Sequence, residues 1–318
     1  MLSDIEKPLS ELETCISKFS SFTERHDLDV GGALETLHDL MPQFERKLYA
    51  NLSAWDIVQL ARHPQRPFPL DYINAIFSDV IELHGDRHNA DDQTIFGGFA
   101  RLDSLDVMLI ATRKGRNLKQ NILCNFGCAM PEGFRKALRL MRLAEKARTP
   151  IITFVDTPGA FPGVASEERN VSEAIAMNLR EMFRLTVPII CVITGEGGSG
   201  GALAIACGNQ VLMLENAYYS VITPEGCAAI LWHDDPNEAV SRAAQALHIT
   251  ARDLQRLDIV DTVVPEPLGG AHRNPEQAAE LLRTCLRRSL AILLGLSPQE
   301  LKQHRYNRFR AIGQFREA

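Results

Sequence analysis

Apolar residues in the first 90 positions recur at helical spacing. Ile5, Leu9, Leu12, Ile16, Phe19 and Phe22 fall close to one face and predict a helix over 5–22. Leu34, Leu37, Leu40 and Phe44 continue in the same style. Ser53 is a candidate N-cap for a further helix carrying Trp55, Ile57, Val58, Leu60 and Ala61, which Pro64, Pro67 and Pro69 stop. Asp71 can cap another, with Tyr72, Ile76, Phe77 and Val80 on its face.

The texture changes after Asp92. Segments 94–102 and 107–112 are rich in apolar and β-branched residues and predict strands. A helix over 131–147 turns Phe134, Leu138, Met141 and Leu143 inward and five basic residues outward. Residues 149–156 read TPIITFVD and residues 187–194 read VPIICVIT. A continuous apolar run of this length predicts a strand buried on both faces. Each run ends in a glycine-rich loop, TPGAFPG or GEGGSGG, and the offset of 38 residues is one strand–loop–helix unit. Ala174, Ile175, Leu179, Met182 and Leu185 supply the helix between them. A looser third copy runs from strand 219–223 into Pro224, Glu225 and Gly226. Repeated units of this kind predict an α/β layered core. Its loops face helix N-termini, which offer free N–H groups and partial positive charge. A polar turn region at 265–275, a helix over 276–294 and a basic, helical tail complete the chain.

Composition narrows the class. With 318 residues, 45% hydrophobic and 23% charged, the chain has the balance of one large globular domain or two small ones. A net charge of -6 gives no global field for nucleic acid. Yet 107–148 holds ten Lys/Arg and two Asp/Glu, a local +8, which suggests a face that meets an anionic ligand or an acidic partner. Seven scattered cysteines read as reduced thiols. No segment looks like a signal peptide, and no run approaches the roughly 20 apolar residues of a membrane span. These features predict a cytoplasmic protein that engages neither membrane nor nucleic acid. His84 and His88 could share a helix face around Asp86, but no motif places a third ligand, so no metal is expected in this chain.

Three motifs bear on chemistry. GEGGSG, from Gly195 to Gly200, matches G-x-G-x-x-G after a strand, with Glu215 twenty residues beyond Gly195. That is a dinucleotide fingerprint in outline, and it keeps an NAD(P)-dependent oxidoreductase open as an alternative. DTPG at 156–159 matches a GTPase switch motif, but Gly201 and Ala202 stand where a phosphate loop needs Lys and Ser/Thr. The third reading is an oxyanion hole of backbone N–H groups at glycine-rich helix starts. Glycine suits it because a substrate oxygen can approach the main chain without meeting a Cβ. No nucleophile–base pair and no paired carboxylates are evident.

DTPGAFPG at 156–163, SEERNVSEAIAMNLREM at 166–182, GEGGSGGALAIACG at 195–208, SVITPEGCAAILW at 220–232 and PEPLGGAHRNP at 265–275 resemble the α subunits of bacterial acetyl-CoA carboxylase carboxyltransferases. LARHPQRPFPLDYI at 60–73 and NFGCAMPEGFRKALRLM at 125–141 belong to the same resemblance. One departure is ATRKGR at 111–116, where the family usually has GHQKGR.

The resemblance implies a crotonase-like (ClpP-like) spiral core of repeated ββα units with helical extensions at both ends. The implied division is an N-terminal helix at 1–30, a carboxyltransferase-type domain at 31–295 and a basic helical tail at 296–318. Within the domain, 31–92 is a helical lead-in, 93–264 the core and 265–295 a closing helix. The implied reaction carries a carboxyl group from carboxybiotin, presented on the biotin carboxyl carrier protein, to acetyl-CoA, giving malonyl-CoA for fatty acid synthesis. The implied partner is a β subunit with its own zinc ribbon, in an α2β2 assembly, with biotin carboxylase in the wider complex. No cofactor is expected to bind this chain tightly. Gly200 and Gly201 carry over as oxyanion donors, with Ala202 as a further N–H. Gly159, Ala160, Gly197 and Gly198 would line the same cleft. Arg113, Lys114 and Arg116 would attract CoA, carboxybiotin or an acidic partner surface. A subunit that only organises its partner is the remaining alternative.

Overall fold

The computed structural model describes residues 6–232 and 235–313. Ile5, with the rest of 1–5, and tail residues 314–318 lie outside them. Four helices come first: α1 (Glu6–Arg25), α2 (Gly31–Ala50), α3 (Ala54–Ala61) and α4 (Pro69–Ile76). Ser53 caps α3 as expected, in a reciprocal capping box with Asp56. At α4 the cap is Phe68, with Pro69 in the first turn. Asp71 sits inside the helix and accepts the Phe68 N–H at 2.6 Å. The chain then turns extended at Phe77, and Val80 lies in strand β1 (Ser78–Glu82). The lead-in therefore ends in an edge strand, antiparallel to the next one.

Strands β2 (Ile95–Leu102) and β3 (Leu105–Thr112) form an antiparallel hairpin. Next come the short helix α5 (Leu118–Leu123), a tight 3₁₀ turn at Asn125–Gly127, and α6 (Pro131–Ala147). Phe134, Leu140 and Met141 are buried on α6, each contributing about 1.5–3 kcal/mol by leaving water. One of its basic residues is not outward: Lys136 is fully buried. The 85–92 loop covers it, placing Asp91 2.8 Å from the ammonium, and this is how a cation is tolerated inside.

Two buried units follow. β4 (Ile151–Thr157) leads through α7 (Val164–Glu168) and α8 (Val171–Met182) to β5 (Ile189–Gly198). Every residue of both strands is buried. α9 (Ser199–Leu203), β6 (Gln210–Leu214), β7 (Tyr218–Ser220) and α10 (Pro224–Leu231) come next. α11 (Pro236–Ala246), α12 (Ala251–Arg256), β8 (Thr262–Val264), α13 (Pro275–Leu293) and α14 (Pro298–Ala311) close the chain.

The sheet order is β1-β2-β3-β4-β5-β6-β8, parallel from β3 onward. β5 forks. Its residues 190–193 pair with β6, and its residues 196–198 pair with β7. The third unit is thereby laid across the far end of β5, beside the glycine turn. At the C-terminus, α14 docks through Arg305, which is fully buried. Its guanidinium donates to Leu185 O at 2.9 Å, Val187 O at 3.1 Å and Asn209 Oδ1 at 2.7 Å.

Candidate functional site

The ends of β4 and β5 lie side by side, with Thr157 paired to Gly197. After β4 the chain makes a half-buried turn at Pro158, Gly159 and Ala160. The Thr157 hydroxyl fixes it, lying 2.6 Å from Gly127 O and accepting the Gly159 N–H at 3.1 Å. Phe161 N–H donates to Ala129 O at 3.0 Å, so the 125–129 segment braces the turn from outside.

After β5 the chain turns sharply at Ser199, whose φ is +50°, and enters α9. No side chain caps α9. The first N–H groups of a helix have no internal acceptor; here they belong to exposed Ser199, half-buried Gly200 and buried Gly201. The two turns touch. A Cβ on Gly201 would lie 2.4 Å from Gly159 C and 2.5 Å from Ala160 N. A Cβ on Gly198 would lie 2.1 Å from Pro158 O. Gly200 is different: its nearest contact would be Ile175 Cδ1 at 3.6 Å. A cavity of about 340 Å³ opens beside Ser199 and Gly200, walled by Leu203, Tyr219, Val221 and Leu254. A larger cavity, about 660 Å³, lies elsewhere, among residues such as Tyr49, Glu215 and Arg252.

This geometry removes the dinucleotide reading. Gly195, Gly197 and Gly198 are not a loop; they are the buried last residues of β5. A Cβ on Gly195 would meet Asp156 Oδ1 at 2.7 Å, and one on Gly197 would meet Tyr219 Cδ2 at 2.7 Å. These glycines allow close strand packing and present no cradle for a pyrophosphate. Glu215 is engaged by Arg252 at 2.8 Å. Of the site residues expected from sequence, Gly159, Ala160, Gly200, Gly201 and Ala202 come together, and Gly197 and Gly198 form the strand end behind them.

A charged cluster that the sequence reading missed underlies the turns. Lys114 Nζ lies 2.7 Å from Asp156 Oδ1 and 2.6 Å from Glu196 Oε1. Arg62 Nε lies 2.7 Å from the other Glu196 oxygen, which also accepts the Tyr218 hydroxyl at 2.6 Å. Arg62 reaches on to Glu225 of α10 at 2.5 Å. The lysine, aspartate and glutamate side chains are 13%, 3% and 9% exposed. Burial alone would raise the Glu196 carboxyl, but Lys114 and Arg62 bring it down to about 2. Burial works against the Lys114 ammonium too, and Asp156 and Glu196 more than offset it, so its pKa is raised. Paired carboxylates are therefore present, contrary to expectation. The visible signal was an acid at or just past the end of each apolar strand run, at the entry to a glycine-rich turn.

Two further cations of the +8 segment are likewise engaged. Arg113 pairs with Glu82 at 2.9 Å and stacks on Phe96. Arg116 pairs with Asp71 and lies 3.9 Å over the Phe68 ring. Arg113, Lys114 and Arg116 line one cavity of about 310 Å³ with Thr112, Leu123 and Cys124. Thr112, at the departure from the family string, accepts the Asp156 N–H on its hydroxyl at 2.7 Å. All seven cysteines are unbridged, and burial pushes the Cys124 and Cys128 thiols up.

His84 and His88 share no helix. They lie in the loop after β1, where Asp86 caps three backbone N–H groups and His84 pairs with Asp91 at 3.1 Å. A different cluster joins Glu6, His63 and His272. His63 Nδ1 accepts the Gln65 N–H at 3.2 Å, which leaves its ring proton on Nε2, facing a Glu6 oxygen at 3.2 Å. His272 Nε2 meets the other Glu6 oxygen at 2.7 Å. A ring nitrogen that carries a proton cannot ligate, so this arrangement fits a carboxylate bridging two imidazoles and fastening α1 to the body.

The family described as acetyl co-enzyme A carboxylase carboxyltransferase-like matches residues 2–313. Acetyl-coenzyme A carboxylase carboxyl transferase subunit alpha of Geobacter metallireducens is 53% identical over 314 residues, 99% of this chain and 98% of that one. The protein of the same name from Escherichia coli is 51% identical over 313 residues, 98% of each chain. Transcarboxylase 12S shares the fold with a TM-score of 0.58 at 19% identity, over 83% of this chain and 46% of that one. A Pseudomonas malonate decarboxylase hetero-tetramer in complex with coenzyme A does so with 0.58 at 18%, over 76% and 94%. Two glycine turns closing a crotonase-like core, and a sequence related along its whole length to such subunits, place this chain in the acetyl-CoA carboxylase carboxyltransferase α family.

Proposed function

We propose that the chain is the α half of a biotin-dependent acetyl-CoA carboxyltransferase. It moves a carboxyl group from N1 of carboxybiotin, carried on the biotin carboxyl carrier protein, to the methyl carbon of acetyl-CoA. The product is malonyl-CoA. The chain works with a β subunit that bears its own zinc ribbon, in an α2β2 assembly served by biotin carboxylase.

The observation that carries this reading is the uncapped start of α9 pressed against the 158–160 turn. Carboxybiotin releases CO₂ and leaves a negative ureido oxygen. That oxygen removes a proton from the acetyl methyl group, and the resulting enolate attacks CO₂. Negative charge develops on two oxygens, and neither step needs a side-chain nucleophile. The N–H groups of Gly200 and Gly201, with Ala202 beyond them, are donors for one oxyanion. They gain strength as its charge grows, which is the condition for lowering a barrier. The β subunit supplies the second hole. The 158–160 turn lines the cleft, and Arg113, Lys114 and Arg116 act from behind it.

The test is malonyl-CoA decarboxylation with free biotin. The α chain alone is expected to be inactive, and activity is expected on mixing with the β subunit. Full activity of the α chain alone, or none from the mixture, overturns the proposal. A scaffold role would leave the rate insensitive to changes confined to the glycine turns.

A further inference from the structure

Lys114 belongs to neither glycine turn, yet it joins the strands that carry them. Its ammonium binds Asp156, one residue before Thr157, and Glu196, two residues before Gly198. The same Asp156 oxygen also accepts the Glu196 N–H at 2.9 Å. Its stem runs past Gly127, where a Cβ would lie 2.9 Å from Lys114 Cγ, and the Gly127 carbonyl holds Thr157. One side chain thus touches every segment that fixes the spacing of the two turns.

We propose that Lys114 is a positioning residue, a buried cationic clamp that sets the distance between the 158–160 and 198–202 turns. The inference rests on the transferase reading and deepens it. Charge counting supports it. The cluster holds two cations, Lys114 and Arg62, against Asp156, Glu196 and Glu225. The neighbouring Arg66 is committed to Glu266 at 2.6 Å and to Thr194 O at 2.9 Å. Arg62 still faces Glu196 without the lysine. Asp156 then keeps no cation within hydrogen-bond range among the described residues. Two buried carboxylates would repel across the gap, and repulsion of that kind acts strongly where water is scarce. The turns are already in backbone contact at Gly201, so small separations move the N–H groups. A misplacement of about 1 Å can cost on the order of 10²-fold in rate.

The experiment uses the α chain assembled with its β partner, with wild type in parallel. In Lys114→Met, kcat for malonyl-CoA decarboxylation is expected to fall about 10- to 100-fold, with KM changed little. Amide exchange in 157–163 and 197–203 is expected to rise. Lys114→Met/Asp156→Asn removes the repulsion, so it should recover most of the kcat and the exchange protection. That doubly neutral variant also decides the matter if the single variant does not fold. Unchanged kcat in Lys114→Met overturns the proposal. So does a rise in KM with exchange unchanged, which would mean that the ammonium binds substrate. So does a double variant whose turns stay as exposed to exchange as those of the single one. If wild type itself shows no decarboxylation, the transferase reading falls, and the exchange comparison still decides the clamp.

Discussion

At Gly201 any side chain would meet backbone, and backbone cannot swing aside. A Cβ there would stand 2.4 Å from Gly159 C. Gly201→Ala is therefore expected to lower both the melting temperature and kcat, because it forces the two turns apart. Gly200→Ala places its Cβ at an ordinary 3.6 Å from Ile175, so melting should stay near wild type while kcat falls, because the Cβ meets the oxygen that approaches the N–H. Thermal melts beside steady-state kinetics on the assembled enzyme check the pair. An unchanged kcat at Gly200 would remove it from the oxyanion hole. Gly198→Ala is no mild control, since its Cβ would lie 2.1 Å from Pro158 O. The sequence marked these glycines as a cluster. It could not separate the one that leaves room from the ones that pack, because that depends on the opposing loop. The same limit hid the partners of Lys114, a residue the sequence did mark. Partners at 42 and 82 residues' distance leave no local pattern.

Among the elements, the buried strands were the most legible. A strand covered on both faces reads as a near-continuous apolar run, and β4 and β5 do so up to Asp156 and Thr194. β1 was not legible, because Ser78, Asp79 and Glu82 on a sheet edge form no apolar run. Lys136 was misread as outward, because helical spacing reports a residue's angle on its own helix and says nothing of a loop that covers that angle. The docking of α14 was also invisible. Arg305 holds it by donating to carbonyls at and just beyond the C-terminal end of α8, Met182 O and Leu185 O. Those carbonyls lack helical partners, and a cation there also meets the negative end of the helix. Burial lowers the guanidinium pKa to about 10, and the nearby thiols and Glu145 offset it only in part. Arg305→Ala would orphan several buried acceptors at once. A loss of about 3 kcal/mol or more is expected, read as a lower urea midpoint. A change below about 0.5 kcal/mol would show that the tail does not depend on this contact.

Over the whole molecule, Arg113, Lys114, Arg116 and Lys136 of the local +8 segment prove to be folded onto acids: Glu82, Asp71, Asp91, Asp156 and Glu196. Its role is internal cohesion more than a long-range field. That cohesion carries a pH signature. Glu196 is held at about 2, against an ordinary 4.5. Its folded pKa is depressed, so its contribution to stability is present above the unfolded value and is lost as pH falls through the folded one. Unfolding free energy should therefore decline between about pH 4.5 and pH 2, and Glu196→Gln should flatten that part of the decline. Urea titrations across that range test it, and an unchanged slope in the variant would remove Glu196 as the cause.

The fork of β5 reaches beyond energetics. One continuous strand serves two neighbours, β6 through residues 190–193 and β7 through residues 196–198, with only two residues between the allegiances. Side chains alternate faces along a strand. One residue gained or lost in that short hinge would turn Glu196 away from Lys114 and rotate the glycine turn to the wrong side of the sheet. Composition could drift around this point without harm, but length could not. In this fold the spacing between the two pairings works as a reading frame, and the chemistry at its end is legible only when the count is kept.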